Sequence, residues 1–240
     1  MKVLEDEKED GNLNILLEKE GSENHLSRPL NKLKQTVFHF AIMVAPNSLI
    51  DALLKHADKD MSSFVDINGM NPVHYAARSL QNGCLKTCLE YGLNALNSQS
   101  KTGMTPLMYA VEDSVLNTAF LLLKYEQVDV SIRDDQGNNV LFYIAKKFPK
   151  HYKDKEYERL LGIVLHHKTF NAKMLTQPNN DGVSIIEDVA RKDLIIMLLM
   201  IGQGKTCHFQ NICIFSLSYT ICTTTCFLRV IWEKSILLDC

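Results

Sequence analysis

The apolar positions of this chain come in short bursts that recur. Each burst opens after a glycine and a short polar residue and closes within about two helical turns. The bursts read MNPVHYAA after Gly69, MTPLMYAV after Gly103 and NNVLFYIA after Gly137. The glycines are 34 residues apart in both intervals. Self-similarity at such a period predicts stacked supersecondary units that bury their apolar faces on one another. It also tilts function toward binding, because a stack presents an extended surface.

Within a unit the pattern predicts a turn, a short helix, a second helix and a returning loop. Asp66 and Asp134 stand three residues before two of the glycines, and Asn71, Thr105 and Asn139 stand two after them. Those short polar side chains suit a helix N-cap. Pro72 and Pro106 follow at the first helical position, where the missing N–H costs nothing. The small pairs Ala76-Ala77, Ala110-Val111 and Ile144-Ala145 let neighbouring helices approach. About a dozen residues later come Cys88-Leu89 and Leu122-Leu123, with Gly92 placed as a C-cap.

These residues resemble the ankyrin repeat family, whose signature is a T-P-L-H-x-A box. NPVHYAA and TPLMYAV carry the resemblance best, with His74 at the motif histidine and Met108 and Phe142 replacing it in the next two units. Upstream, TVFHFAI keeps His39 and Ala41; downstream, NNDGVSIIEDVA places Gly182 and Ala190. The resemblance implies an all-α repeat solenoid of stacked helix-turn-helix units joined by β-hairpin-like loops. Its repeats fall near 34–67, 68–101, 102–135, 136–180 and 181–202, the last partial. The fourth is eleven residues too long, and the surplus is expected around Phe148 to Tyr157, between its two helices. For His39 and His74 the resemblance implies a structural hydrogen bond to a neighbouring turn.

Composition changes this picture at the two ends. Residues 1–33 form an acidic arm (Glu5, Asp6, Glu7, Glu9, Asp10), expected to be disordered unless LNILLEK docks on the first unit. Residues 203–240 form an atypical apolar tail rich in Cys and Thr. Between Thr206 and Leu228 it has no Asp, Glu, Lys or Arg. Three readings of the tail stay open: a membrane anchor, a final element packed on the stack, or an ending foreign to the solenoid. The net charge of −2 leaves no electrostatic footprint for nucleic acid. Seven cysteines without a signal peptide point to a reducing compartment, cytoplasmic or nuclear.

The candidate chemistry is thin. IGQGKT (Ile201 to Thr206) lacks the upstream glycine of a phosphate loop. Cys84 and Cys88 share a helix face but have no second ligand pair for zinc, so they are expected in the core. His166 and His167 are adjacent and do not converge on a metal. No catalytic residue, cofactor or metal is therefore expected, and the chain is read as a non-enzyme. Asn97 is a modification candidate: with Leu89 eight residues earlier it resembles the substrates of asparaginyl hydroxylases, against a plain turn role.

The predicted function is a protein-protein interaction module, monomeric, with a protein partner and no nucleic acid. In ankyrin-like stacks the binding face is the concave one, built from hairpin tips and first helices. Here it phases to Met70, Lys101, Thr102, Met104, Asp135, Gln136 and Asn138 at the tips, and to Glu112 and Asp113 after the first helix of unit three. Alternatives are a regulatory fragment of a larger enzyme or channel, an IκB-like regulator of a transcription factor, and an adaptor anchored through residues 206–228.

Overall fold

The computed structural model describes residue 26 and residues 28–55, 61–79, 82–147 and 155–192. The acidic cluster, LNILLEK, most of the Phe148 to Tyr157 stretch, IGQGKT and the 203–240 tail lie outside the described residues. Among the described residues ten α-helices follow one another: α1 (Val37–Val44), α2 (Asn47–Lys55), α3 (Pro72–Arg78), α4 (Asn82–Tyr91), α5 (Pro106–Glu112), α6 (Leu116–Leu122), α7 (Val140–Lys147), α8 (Lys155–Leu165), α9 (Lys173–Thr176) and α10 (Ile185–Lys192). Short 3-10 turns lie at Met61–Ser63 and Leu93–Asn97. No strand occurs among the described residues.

The helices form two layers. First helices pack on first helices (α1 on α3, α3 on α5, α5 on α7, α7 on α10), and second helices on second (α2 on α4, α4 on α6, α6 on α8). The small residues sit at the first-helix contacts: Ala76, Ala77, Ala110 and Val111 are fully buried. Cys84 and Cys88 are fully buried too, and burial pushes both thiols up. One hydrophobic cluster runs unbroken from Leu26 to Val189. No unit closes a core alone, so stability comes from nearest-neighbour interfaces.

Each first helix starts as its residues dictate. Asn71 and Thr105 accept from the backbone N–H of His74 and Met108, and Pro72 and Pro106 occupy the first turn. In front of each helix the chain reverses through a glycine with positive φ: Gly69 (72°), Gly103 (74°), Gly137 (78°) and Gly182 (75°). Gly103 has a second constraint. A Cβ there would stand 2.5 Å from the backbone nitrogen of Asp135 in the next turn.

Two boundaries differ from the sequence expectation. The first turn begins at Asn31, inside the 1–33 arm: Asn31 Oδ1 accepts from Gln35 N–H at 3.1 Å, as Asp66 Oδ1 accepts from Met70 N–H at 2.8 Å. Lys34, with φ 58°, stands where the later turns have glycine, which is why the glycine spacing does not reach it. Part of the surplus of unit four lies within its second helix. α8 runs 11 residues where α6 runs 7, and Tyr157 is a core residue of α8, only 1% exposed.

Candidate functional site

The turns and first helices share one face, and its backbone is a ladder. Ile67 N–H donates to Leu33 O (2.7 Å), Lys101 N–H to Asn68 O (2.8 Å), Asp135 N–H to Thr102 O (3.1 Å) and Asn180 N–H to Gln136 O (2.9 Å). The residue three before each glycine braces its own turn through its side chain. Asp66 and Asp134 each take two backbone N–H groups, and Ser100 takes one. A tyrosine nine residues on closes each brace: Tyr75 donates to Asp66, Tyr109 to Ser100 and Tyr143 to Asp134. Burial and the Asp134 carboxylate push the Tyr143 phenol well up, so it stays a donor.

The first two junctions are tied by histidine. His39 Nδ1 accepts from Thr36 N–H at 3.0 Å, which leaves the proton on Nε2 to donate to Met70 O at 3.0 Å. His74 repeats the arrangement: Asn71 N–H donates to Nδ1 at 3.1 Å, and Nε2 donates to Met104 O at 3.2 Å. Burial is the leading cause that lowers both imidazoles, His74 to about 4. Both histidines are therefore neutral structural ties. At the third junction Met108 sulfur only accepts, from Thr105 N–H at 3.5 Å. Further on, Asn139 Nδ2 donates to Met174 O at 3.0 Å.

The nine expected face residues do not all land together. Met70 is a correction: it is buried, 5% exposed, so its side chain is not offered to a partner. Lys101, Thr102, Asp113 and Asp135 are exposed and lie outside the cleft that the other four line. Asp113 pairs with Arg78 at 2.5 Å, and that guanidinium also lies 5.4 Å from the centre of the Tyr109 ring. Met104, Glu112, Gln136 and Asn138 do converge, on a cleft of about 410 Å³. The residues missed by sequence complete its walls: Phe142, Tyr143 and Lys146 from α7, then Asn179, Asp181, Val183 and Asp188 from the last unit. Lys146 stands one repeat after Glu112 and carries the opposite charge, a signal readable in the sequence; their atoms meet at 2.9 Å.

Asn97 sits half-buried beyond the second helix of its unit. Its Nδ2 donates to Gln127 O (2.7 Å) and its Oδ1 accepts from Asp129 N–H (2.9 Å). Both ends of the amide thus clip the loop to its neighbour. Among the described residues no group of three or more His, Cys, Asp or Glu is placed to hold a metal, and no helix is long and apolar enough to cross a membrane.

The architecture is that of a stacked repeat whose turns and first helices make one continuous face. Residues 102–135 match the ankyrin repeat family model, and the described residues have the ankyrin repeat fold. The chain is 27% identical over 119 residues to the chicken (Gallus gallus) nuclear factor NF-kappa-B p105 subunit, a match covering 48% of this chain and 12% of that protein. The chain thus spans about an eighth of that relative's length. Among crystal structures, the ankyrin repeat protein EF0377 superposes with a TM-score of 0.64 at 15% identity, over 81% of this chain and 92% of that one. The ankyrin repeat domain of Bcl-3, titled a member of the IkappaB protein family, gives 0.61 at 20% identity, over 82% and 83%. An ankyrin repeat domain from Acinetobacter baumannii gives 0.60 at 20%, over 81% and 94%. Ankyrin repeats in general imply a protein-protein interaction module.

Proposed function

We propose that the chain is a non-enzymatic adaptor or regulatory subunit that binds one protein partner through the turn-and-first-helix face. It works as a monomer in the cytoplasm or nucleus, with Lys101, Thr102, Asp135 and Gln136 as the exposed contacts and Met104, Glu112 and Asn138 deeper. Asp113 belongs to the same surface. The observation that carries this reading is the backbone ladder under exposed tips. A pre-ordered surface loses little entropy on binding, so a few anchors suffice. The test compares proteins co-purifying with the wild type and with a Lys101→Glu, Gln136→Ala double variant of unchanged thermal stability. Partners retained equally by both would sink the reading.

A second reading is favoured by the p105 and Bcl-3 likenesses: an IκB-like regulator of a transcription factor. Titration against purified NF-kappa-B checks it, with micromolar or tighter binding expected. No binding at about 100 μM leaves only the general adaptor reading.

A further inference from the structure

The cleft between units three and five differs from the rest of the face in its chemistry. The tips run from basic to acidic along the stack: Lys34 and Lys101 early, Asp135 and Asp181 late, all exposed. Among the described residues, the lining of the cleft includes three carboxylates, Glu112, Asp181 and Asp188, and one ammonium, Lys146. The apolar part of the wall comes from Met104, Phe142 and Val183. Glu112 is only half satisfied. One oxygen pairs with Lys146 Nζ at 2.9 Å; the other is shut off from solvent and has no hydrogen-bond partner. A carboxylate oxygen in that state costs free energy that a charged donor would recover. Lys146 is 63% exposed at its side chain, so it can swing aside.

We propose that this cleft takes an arginine side chain from an extended basic segment of the partner protein. The guanidinium fork satisfies the orphaned Glu112 oxygen and meets the Asp181 and Asp188 carboxylates. The three-carbon stem lies along Met104, Phe142 and Val183. A carboxylate-bearing or phosphorylated segment would meet net negative charge and be repelled. A lysine fits less well, because its point charge cannot span separated acceptors. This inference rests on the interaction-module reading above and names the chemistry of the partner.

The test selects a random 12-residue phage-displayed peptide library against three immobilised full-length proteins: wild type, a Glu112→Gln, Asp188→Asn variant, and the Lys101→Glu, Gln136→Ala variant. The first variant keeps side-chain shape and an acceptor for Lys146. The expected result is arginine flanked by apolar residues among wild-type binders. Synthetic versions of those peptides then bind the cleft variant about tenfold more weakly, and a lysine-substituted peptide binds wild type less well. Binders without basic enrichment, or basic peptides that bind the cleft variant equally, overturn the proposal. If those non-basic binders still lose affinity on the Lys101→Glu, Gln136→Ala variant, the interaction-module reading survives. If no binder responds to either variant, both fall.

Discussion

The early and late halves of the stack solve the same joining problem with different chemistry. Units one and two use buried imidazoles, each held neutral by a backbone donor on one nitrogen and a backbone acceptor on the other. Units three to five have no such ring and lean on amides and a guanidinium. Arg133 donates to Gly137 O at 2.5 Å and also to Pro178 O; Asn180 Nδ2 donates to Asp135 O at 2.7 Å; Asn179 Nδ2 donates to Asn138 Oδ1 at 3.0 Å. The early half is therefore titratable at its joints. The late half is polar, carries the cleft, and among the described residues has no imidazole tying its first helices to a neighbouring turn. The period sets the backbone ladder, while the side chains that reinforce it are free to vary.

The ladder should break hardest where two turns touch most closely. Gly103→Ala forces a Cβ against the Asp135 backbone nitrogen as well as into positive φ. The expected loss is about 3 kcal/mol. Gly182→Ala has the same φ problem, but its Cβ meets nothing within 4 Å among the described residues, so the loss should be about 1 kcal/mol. Urea unfolding of both variants checks the ranking. Equal losses would mean that turn conformation, and not contact between turns, sets the cost.

The early half should carry the acid sensitivity. The unfolded chain protonates His74 near the ordinary 6.5, whereas the folded chain resists until about 4. Its contribution is complete above about pH 6.5 and is lost as the pH falls toward 4, about 1–3 kcal/mol in all. His39 is lowered for the same reason and adds in the same direction. Stability measured from pH 7.5 to 4.5 should fall more steeply in the wild type than in a His74→Gln variant, which has no imidazole to protonate. Parallel curves would remove His74 from the account.

The architecture was legible because each demand of the repeat falls on a residue type with few substitutes. Positive φ selects Gly69, Gly103, Gly137 and Gly182, and the first helical turn tolerates Pro72 and Pro106. The histidine ties came from the family resemblance and the geometry agrees with it. The tyrosine brace was visible at one register in all three boxes but has no meaning until the turn above it is folded. Met70 was misplaced because exposure at a tip depends on elements distant in sequence, such as that of His39, 31 residues earlier, which binds the Met70 carbonyl. The cleft was only half legible, since its far wall belongs to a unit displaced by the insertion, out of phase with the 34-residue comparison that located Glu112 and Asn138.

A transplant sharpens the contrast between the halves. Met108→His places an imidazole at the register of His39 and His74. Its Nδ1 would accept from Thr105 N–H, as the sulfur now does at 3.5 Å, and its Nε2 would donate to Asn138 O, which matches Met70 O and Met104 O in the repeat. One added buried hydrogen bond is worth about 1 kcal/mol at pH 7.5. The gain should vanish near pH 5, giving the late junction the early half's acid sensitivity. A pH-independent change would show that the third junction is too wide for the tie.

The smallest effect tests the boundary of the stack. Lys34 holds φ 58° in a turn that otherwise matches its successors, with Leu33 O accepting from Ile67 N–H at 2.7 Å. A non-glycine residue in the left-handed region costs about 1–2 kcal/mol, and the extra freedom of glycine in the unfolded chain returns part of it. Lys34 is exposed, so its side chain gives up little. Lys34→Gly should therefore stabilise the chain by about 0.5–1 kcal/mol, read as a higher urea midpoint at unchanged slope. If the first turn belongs to the cooperative stack, the gain appears in the main transition. If it frays independently, the main transition stays put while amide exchange at Ile67, whose N–H closes that rung, slows in the variant.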